Sequence, residues 1–265
     1  MVVQEKVTAT ARPPAGVVIL RKAVQIIGEL LITAGIVLLL FVAWQLWWTN
    51  VESDAKQSAA VKDFARDLGG PVIPAPAPAA TGAAAERPKD YGAPVVGEAP
   101  GHGGTIGIMY IPRFGGSYTR PIVEGTSADV LDTLGLGHYG NTSMPGAVGN
   151  FAVAGHRQTH GAVLDNIHTL VPGDKIYVQT RDGYYVYVFR NNRIVLPSEA
   201  DVLLPVPNQP GVRPTERLLT MTSCNPRFGS EERIIAYSVL DHWQPASAGP
   251  PAEIADQVAR ARGEG

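Results

Sequence analysis

One thiol, one arginine and a small set of histidines hold most of the chemistry this chain can offer. The only cysteine in 265 residues is Cys224. It stands in LLTMTSCNPRFGSEERIIAYSVL, residues 218–240, nine positions before Arg233. A lone thiol is either inert core filling or a nucleophile. The apolar run Arg217–Ser223 reads as a buried strand, and Asn225-Pro226-Arg227 breaks it at once. Cys224 therefore falls at a strand end, where a site residue belongs. A thiol nucleophile needs a proton acceptor or cationic neighbour, and donors for the oxyanion formed on attack. Of six histidines, His102 sits in a Gly/Pro-rich tract and His242 near the end of the strand-rich region, which leaves His138, His156, His160 and His168. His156 ends the run FAVAGH and precedes the polar stretch Arg157-Gln158-Thr159, the same strand-end placement as Cys224. Arg233 opens the strand after the Cys224 loop. An antiparallel return would bring its guanidinium beside the thiol, to hold a carbonyl or its oxyanion. The plainer reading of Arg233 is a solvated strand-end charge. Arg227 is nearer in sequence but sits in mid-loop.

These residues need a scaffold, and the strand signals are frequent. Thr105–Ile111, Pro121–Glu124, Phe151–Gly155, Lys175–Thr180, Tyr184–Phe189, Arg193–Leu196, Arg217–Ser223 and Ile234–Leu240 are short and rich in β-branched or aromatic residues. Asp182-Gly183 between two of them is a hairpin signal. Two short helices are expected, Ser127–Leu134 with Ser127 as cap and Val163–Leu170. Many short strands with few helices predict a mainly β domain over 105–243, a barrel or a sandwich.

The preceding segment is different. Residues 24–48 are almost entirely apolar, and about 20 such residues span a bilayer as a helix. Trp44, Trp47 and Trp48 lie at one end of the run, and Arg12, Arg21 and Lys22 at the other. The positive-inside rule then places residues 1–23 in the cytoplasm and the rest of the chain outside. A cleaved signal peptide is disfavoured by the length of the run and by the lack of a small-x-small site after it. Residues 51–68 suit a short helix capped by Ser53 or Asp54. The Pro/Ala/Gly-rich stretch that follows completes an expected spacer over 49–104. The tail, 244–265, contains an amphipathic segment from Pro251 to Arg262. A net charge of −2 gives no general attraction for nucleic acid, and a single cysteine excludes an internal disulfide and a cysteine-cluster metal site. Neither a metal nor another cofactor is expected.

Thr220-Met221-Thr222-Ser223-Cys224 resembles the TLxTC signature of sortases, and Arg233 fits the arginine of that family. GLGHYGNTSMPGAVGNFAVAGHRQTHG, residues 135–161, looks like the segment around the sortase histidine and places it at His156. The Gly-His-Tyr segment, Cys224-x-Pro226 and the spacing to Arg233 are most similar to class E sortases of actinobacteria. The resemblance implies an eight-stranded β-barrel and a cysteine transpeptidase. Such an enzyme cuts a C-terminal LPxTG- or LAxTG-like sorting signal between Thr and Gly, then joins the Thr carbonyl to an amine of a lipid-linked peptidoglycan precursor. It implies Cys224 as nucleophile, His156 as general acid and base, and Arg233 as oxyanion and substrate holder. Thr222, Ser223, Tyr139 and Tyr110 are the expected substrate-binding residues. Secreted proteins carrying sorting signals are the expected partners. Met221, Ser223 and Asn225 depart from the usual pattern. Rival readings are a pilus-polymerising sortase with a lid, for which Asp90-Tyr91-Gly92 is the motif to check, and an inactive peptide-binding module. An L,D-transpeptidase is disfavoured because its histidine-glycine and serine-rich pattern is missing around Cys224.

Overall fold

The structure, a computed structural model, describes residues 15–69 and 89–264. Eight strands close into a barrel: β1 (Thr105–Tyr110), β2 (Thr119–Glu124), β3 (Leu136–His138), β4 (Gly149–Ala154), β5 (Lys175–Gln179), β6 (Gly183–Val195), β7 (Arg217–Asn225) and β8 (Glu232–Pro245). Their order around the barrel is β1-β2-β3-β4-β7-β8-β6-β5. The pairs β2/β3 and β4/β7 are parallel and the other pairs antiparallel. Closure gives every strand a partner on both sides. Side chains alternate between faces along each strand. The inward set, including Met109, Phe151, Val153, Tyr187, Leu219, Met221, Ile234 and Ala236, fills the interior.

The expected strands appear, with two changes. The runs at 184–189 and 193–196 are one strand, β6, whose register slips between Phe189 and Asn191. β3 was not expected: it has three residues, with Gly137 at its centre. A Cβ there would run into the Gly125 carbonyl and Leu131, so close approach of neighbouring chain replaces side-chain propensity as the reason for this strand. The hairpin at Asp182-Gly183 is present, closed by Thr180 N–H to the Gly183 carbonyl (2.8 Å). The helix expected over 127–134 is the single turn α2 (Ala128–Leu131), whose N-cap Ser127 makes no side-chain capping bond. The segment expected as helix over 163–170 is a 3-10 helix, Asp165–Thr169.

Ahead of the barrel runs α1 (Ala15–Asp67). The chain divides into two compact units, one ending at Trp48 and one beginning at Thr49. The first carries an exposed apolar stretch of mean hydropathy 2.6, long and apolar enough to cross a membrane. Residues 1–14 of the expected cytoplasmic tail lie outside the described residues.

In the second unit, residues 49–67 are not free spacer. No cap at Ser53 or Asp54 starts a new helix, because both lie inside α1. Val61, Phe64 and Ala65 pack on the outer face of β1, β5 and β6, against Ile108, Tyr110, Tyr177, Tyr184 and Val186. Ile254, Val258 and Ala261, the last two from α3 (Ala255–Arg262) in the C-terminal tail, join the same cluster. Part of the later spacer is docked as well. The Gly92 carbonyl accepts from Trp243 Nε1 (2.9 Å), and the Val95 carbonyl from the Tyr185 hydroxyl (2.7 Å). Residues 70–88 of the expected spacer lie outside the described residues.

Candidate active site

Strand register sets Cys224 opposite Arg233 and brings the chain leading to His156 alongside. β7 and β8 pair antiparallel with Cys224 directly opposite Arg233. Residues opposite each other in such a pair share a face, with Cβ atoms about 5 Å apart. On the other side, β4 pairs parallel with β7 through Ala154 and Thr222, and the Gly155 N–H extends the ladder to the Thr222 carbonyl (3.1 Å). Two residues beyond that pair come His156 on one strand and Cys224 on the other. Leu219 and Met221 point into the barrel core. Alternation therefore puts Thr220, Thr222 and Cys224 on the outer face. The thiol is partly buried between the histidine strand and the arginine strand.

His156 is half-buried, and its Nε2 lies 2.6 Å from Asp132 Oδ1. Asp132 directly follows α2, and the sequence reading gave it no role. Its separation of 24 positions from His156 carries no motif, and only the α2 turn brings the two together. A carboxylate there fixes the orientation of the ring. His160 Nδ1 is 3.7 Å from the same oxygen, and its ring stacks at a tilt against His156 with centroids 5.0 Å apart. Asp132, His156 and His160 present ligand atoms within 4.8 Å of one another, a donor set that suits a divalent metal ion. A tetrahedral zinc site separates its ligand atoms by roughly 3.3 Å. The 2.6 Å contact is thus a hydrogen bond that such an ion would have to displace.

The other histidines are committed elsewhere. His138 is buried, with Nδ1 at 2.6 Å from Glu124 Oε2 and Nε2 at 3.2 Å from the Ser143 carbonyl. Both of its ring nitrogens are thereby engaged. His102 pairs with Asp129 and His242 with Asp241, while His168 is exposed and meets the Asp165 carbonyl.

Arg233 Nη1 donates to the Ser230 carbonyl (2.9 Å) and to the Glu232 carbonyl (2.8 Å), which holds the arginine to its own loop. Arg227 is tied away from the thiol by a two-pronged ion pair with Asp165. A second arginine, unforeseen from sequence, supports the Cys224 backbone. Buried Arg157 donates to the Cys224 carbonyl (3.2 Å) and to Asn225 Oδ1 (2.5 Å). Burial pushes its guanidinium below the usual arginine range, and the nearby Asp165 carboxylate opposes this. Asn225 completes a bridge by donating to Glu232 Oε2 (2.7 Å). The atypical asparagine therefore links the loop after β4 to β8 beside Cys224.

The expected substrate-binding residues divide. Half-buried Tyr139 shares a hydroxyl–hydroxyl bond (2.9 Å) with buried Thr222 on the thiol's face. Ser223 does not line that face. It is 3% exposed and donates to the Gly155 carbonyl (2.7 Å), pinning β4 one residue before His156. The hydroxyl that this departure from threonine retains is the group in use. Tyr110 is fully buried beneath α1 and α3, and its hydroxyl donates to Gln179 Oε1 (2.6 Å). It is a packing residue and faces no groove. Asp90-Tyr91-Gly92 forms no lid over the thiol. Its Gly92 docks on Trp243, about 33 Å along β8 from Arg233 at strand rise.

Known proteins share both sequence and fold with this chain. The Sortase domain model matches residues 109–241. Sortase SrtE1 of Streptomyces coelicolor is 37% identical over 94% of this chain, which spans 65% of that relative's length. Sortase SrtE2 of the same organism is 32% identical over 88% of both chains. Among solved structures, the SrtA sortase from Actinomyces oris superposes with a TM-score of 0.59 at 40% identity, covering 62% of this chain and 94% of that one. Sortase E1 from Streptomyces coelicolor, solved with a tripeptide in its active site, gives a TM-score of 0.53 at 39% identity, covering 60% of this chain and 99% of that one.

Proposed function

The chain belongs to the sortase family, and we propose that it is a membrane-anchored, class E-like cysteine transpeptidase. It cleaves an LAxTG- or LPxTG-like C-terminal sorting signal between Thr and Gly. The observation that supports this reading is the adjacency of three strand ends: Cys224 lies opposite Arg233, and β4, which pairs with β7, ends two residues before His156. The Cys224 sulfur attacks the Thr carbonyl, and the C–N bond to Gly breaks as His156 gives its proton to the leaving amine. Arg233 holds the oxyanion formed on the way. The incoming amine of a lipid-linked peptidoglycan precursor then loses a proton to His156 and displaces the thiolate. The tripeptide in the related sortase E1 structure supports a peptide occupant for this face. Residues 24–48 anchor the enzyme, with the N-terminus in the cytoplasm and the barrel outside, where secreted proteins and the precursor meet.

The test is to trap the acyl-enzyme. The full chain in detergent micelles is mixed with a library of sorting-signal peptides and read by mass spectrometry. The expected result is an adduct on Cys224 whose mass ends at Thr, discharged by an added amine. Alkylation of Cys224 by a simple electrophile, with no peptide adduct, would leave an inactive binding module as the answer.

A further inference from the structure

The buried stripe of residues 49–68 in and just after α1 changes character along its length. Positions 50, 53, 54 and 57 are polar, whereas 61, 64, 65 and 68 are apolar, all at helical spacing on one face. The apolar half clamps the barrel. Docking alone would be served by continuing that half, because a buried polar side chain is costly unless its bonds repay it. Yet Ser53 is 4% exposed and Gln57 0%.

All four polar side chains reach the segments that support His156. The Ser53 hydroxyl donates to the Asp132 carbonyl (2.8 Å), fixing the residue whose carboxylate meets His156. Gln57 Nε2 donates to the His160 carbonyl (3.1 Å). Asn50 Oδ1 accepts from the Gly161 N–H (2.9 Å). Asp54 pairs with Arg120 (3.1 Å), which itself reaches the Gly161 carbonyl (3.5 Å). The loop held this way is under backbone strain. His160 has φ +53 and Ala162 φ +45, values that side chains rarely adopt without external support. Gly161, at φ +84, has no room for a Cβ, because Gln57 and Asp54 occupy that space. The loop begins at His156, and the Leu164 N–H closes back on the His156 carbonyl (2.9 Å).

We propose that residues 50–57 of α1 are positioning residues for the active site. They hold Asp132 and the 156–164 loop so that the His156 ring keeps its place beside Cys224. The inference rests on the transpeptidase reading. It also puts the support of the acid-base residue on the same helix as the candidate membrane span.

The test uses the full chain in micelles with Ser53→Ala combined with Gln57→Met, which removes both donors and keeps apolar volume at position 57. The expected result is a fall in kcat for sorting-peptide cleavage of about 10- to 100-fold, the scale of a small misplacement of a reacting group. KM stays within about twofold, as expected when substrate contacts are untouched. Amide exchange at Gly161 and Leu164 speeds up, while circular dichroism stays unchanged. Ser53→Thr, which retains the hydroxyl, restores kcat when combined with native Gln57, and Ser58→Ala on the exposed face changes nothing. Unchanged kcat together with unchanged exchange in the double variant overturns the proposal. If the native chain forms no acyl-enzyme at all, the transpeptidase reading falls. The exchange rates then decide alone, and rates equal to native show that the helix does not hold the loop.

Discussion

Tyr110 and Tyr139 stand on two outer faces of one barrel, and the two faces have opposite fates. Around Tyr110, residues 61–65 of α1 and the helix α3 cover β1, β5 and β6, and the ring has no exposure. Around Tyr139, the outer face of β4 and β7 stays open enough to leave Cys224 and His156 partly exposed. Alternation along a strand tells which residues point outward. It does not tell which outward face a distant segment will cover, and here segments from both ends of the chain make that choice.

Substitutions on the two faces should therefore fail in different ways. The largest effect belongs to Cys224→Ala, which leaves no sulfur to form the thioester. Peptide cleavage should vanish while circular dichroism stays native, and surviving turnover would move the nucleophile elsewhere. His156→Ala should follow with a loss of about 10²- to 10⁴-fold in kcat/KM, the range of general acid-base catalysis. Arg233→Ala should cost about 10²- to 10³-fold, the scale of an oxyanion donor, read in the same assay. On the covered face, Tyr110→Ala should leave kcat per folded molecule intact but lower stability by about 3–5 kcal/mol, as for other buried aromatic truncations. Urea unfolding measures this, and a loss of kcat without a loss of stability would erase the distinction between the faces. The smallest effect is expected at Tyr139→Phe. Removing its bond to Thr222 should cost about 1 kcal/mol, seen as a modest rise in KM.

Much of the barrel was legible because its strands are local patterns. TIGIMY, GNFAVA and IYVQ announce themselves by β-branched and aromatic content, and Asp182-Gly183 announces its turn. β3 was hidden because its reason for existing is a close approach at Gly137, which leaves no pattern in the sequence. The site was legible where chemistry is rare: one cysteine, a strand-end histidine and an arginine on the return strand. Asp132 was not legible, since an acidic residue after one turn of helix is commonplace. Only the fold carries it to 2.6 Å from the ring. Arg157 was hidden for a similar reason, because an arginine beside a histidine in a polar loop reads as solvated until its burial is known. A helix over 51–68 was expected, but the Pro/Ala-rich tract next to it suggested a spacer.

The parallel pairing of β4 with β7 also sets a timetable. The chain is joined there at Gly155 and Ser223, 68 residues apart, and Cys224, the proposed nucleophile, comes after six of the eight strands. A chain interrupted before β7 holds the histidine and Asp132 but no thiol. A chain that has reached Cys224 needs only β8, the next strand, to bring in Arg233. On the proposed chemistry the reactive atom is thus made after its acid-base partner, and a chain without β7 has no thiol to acylate.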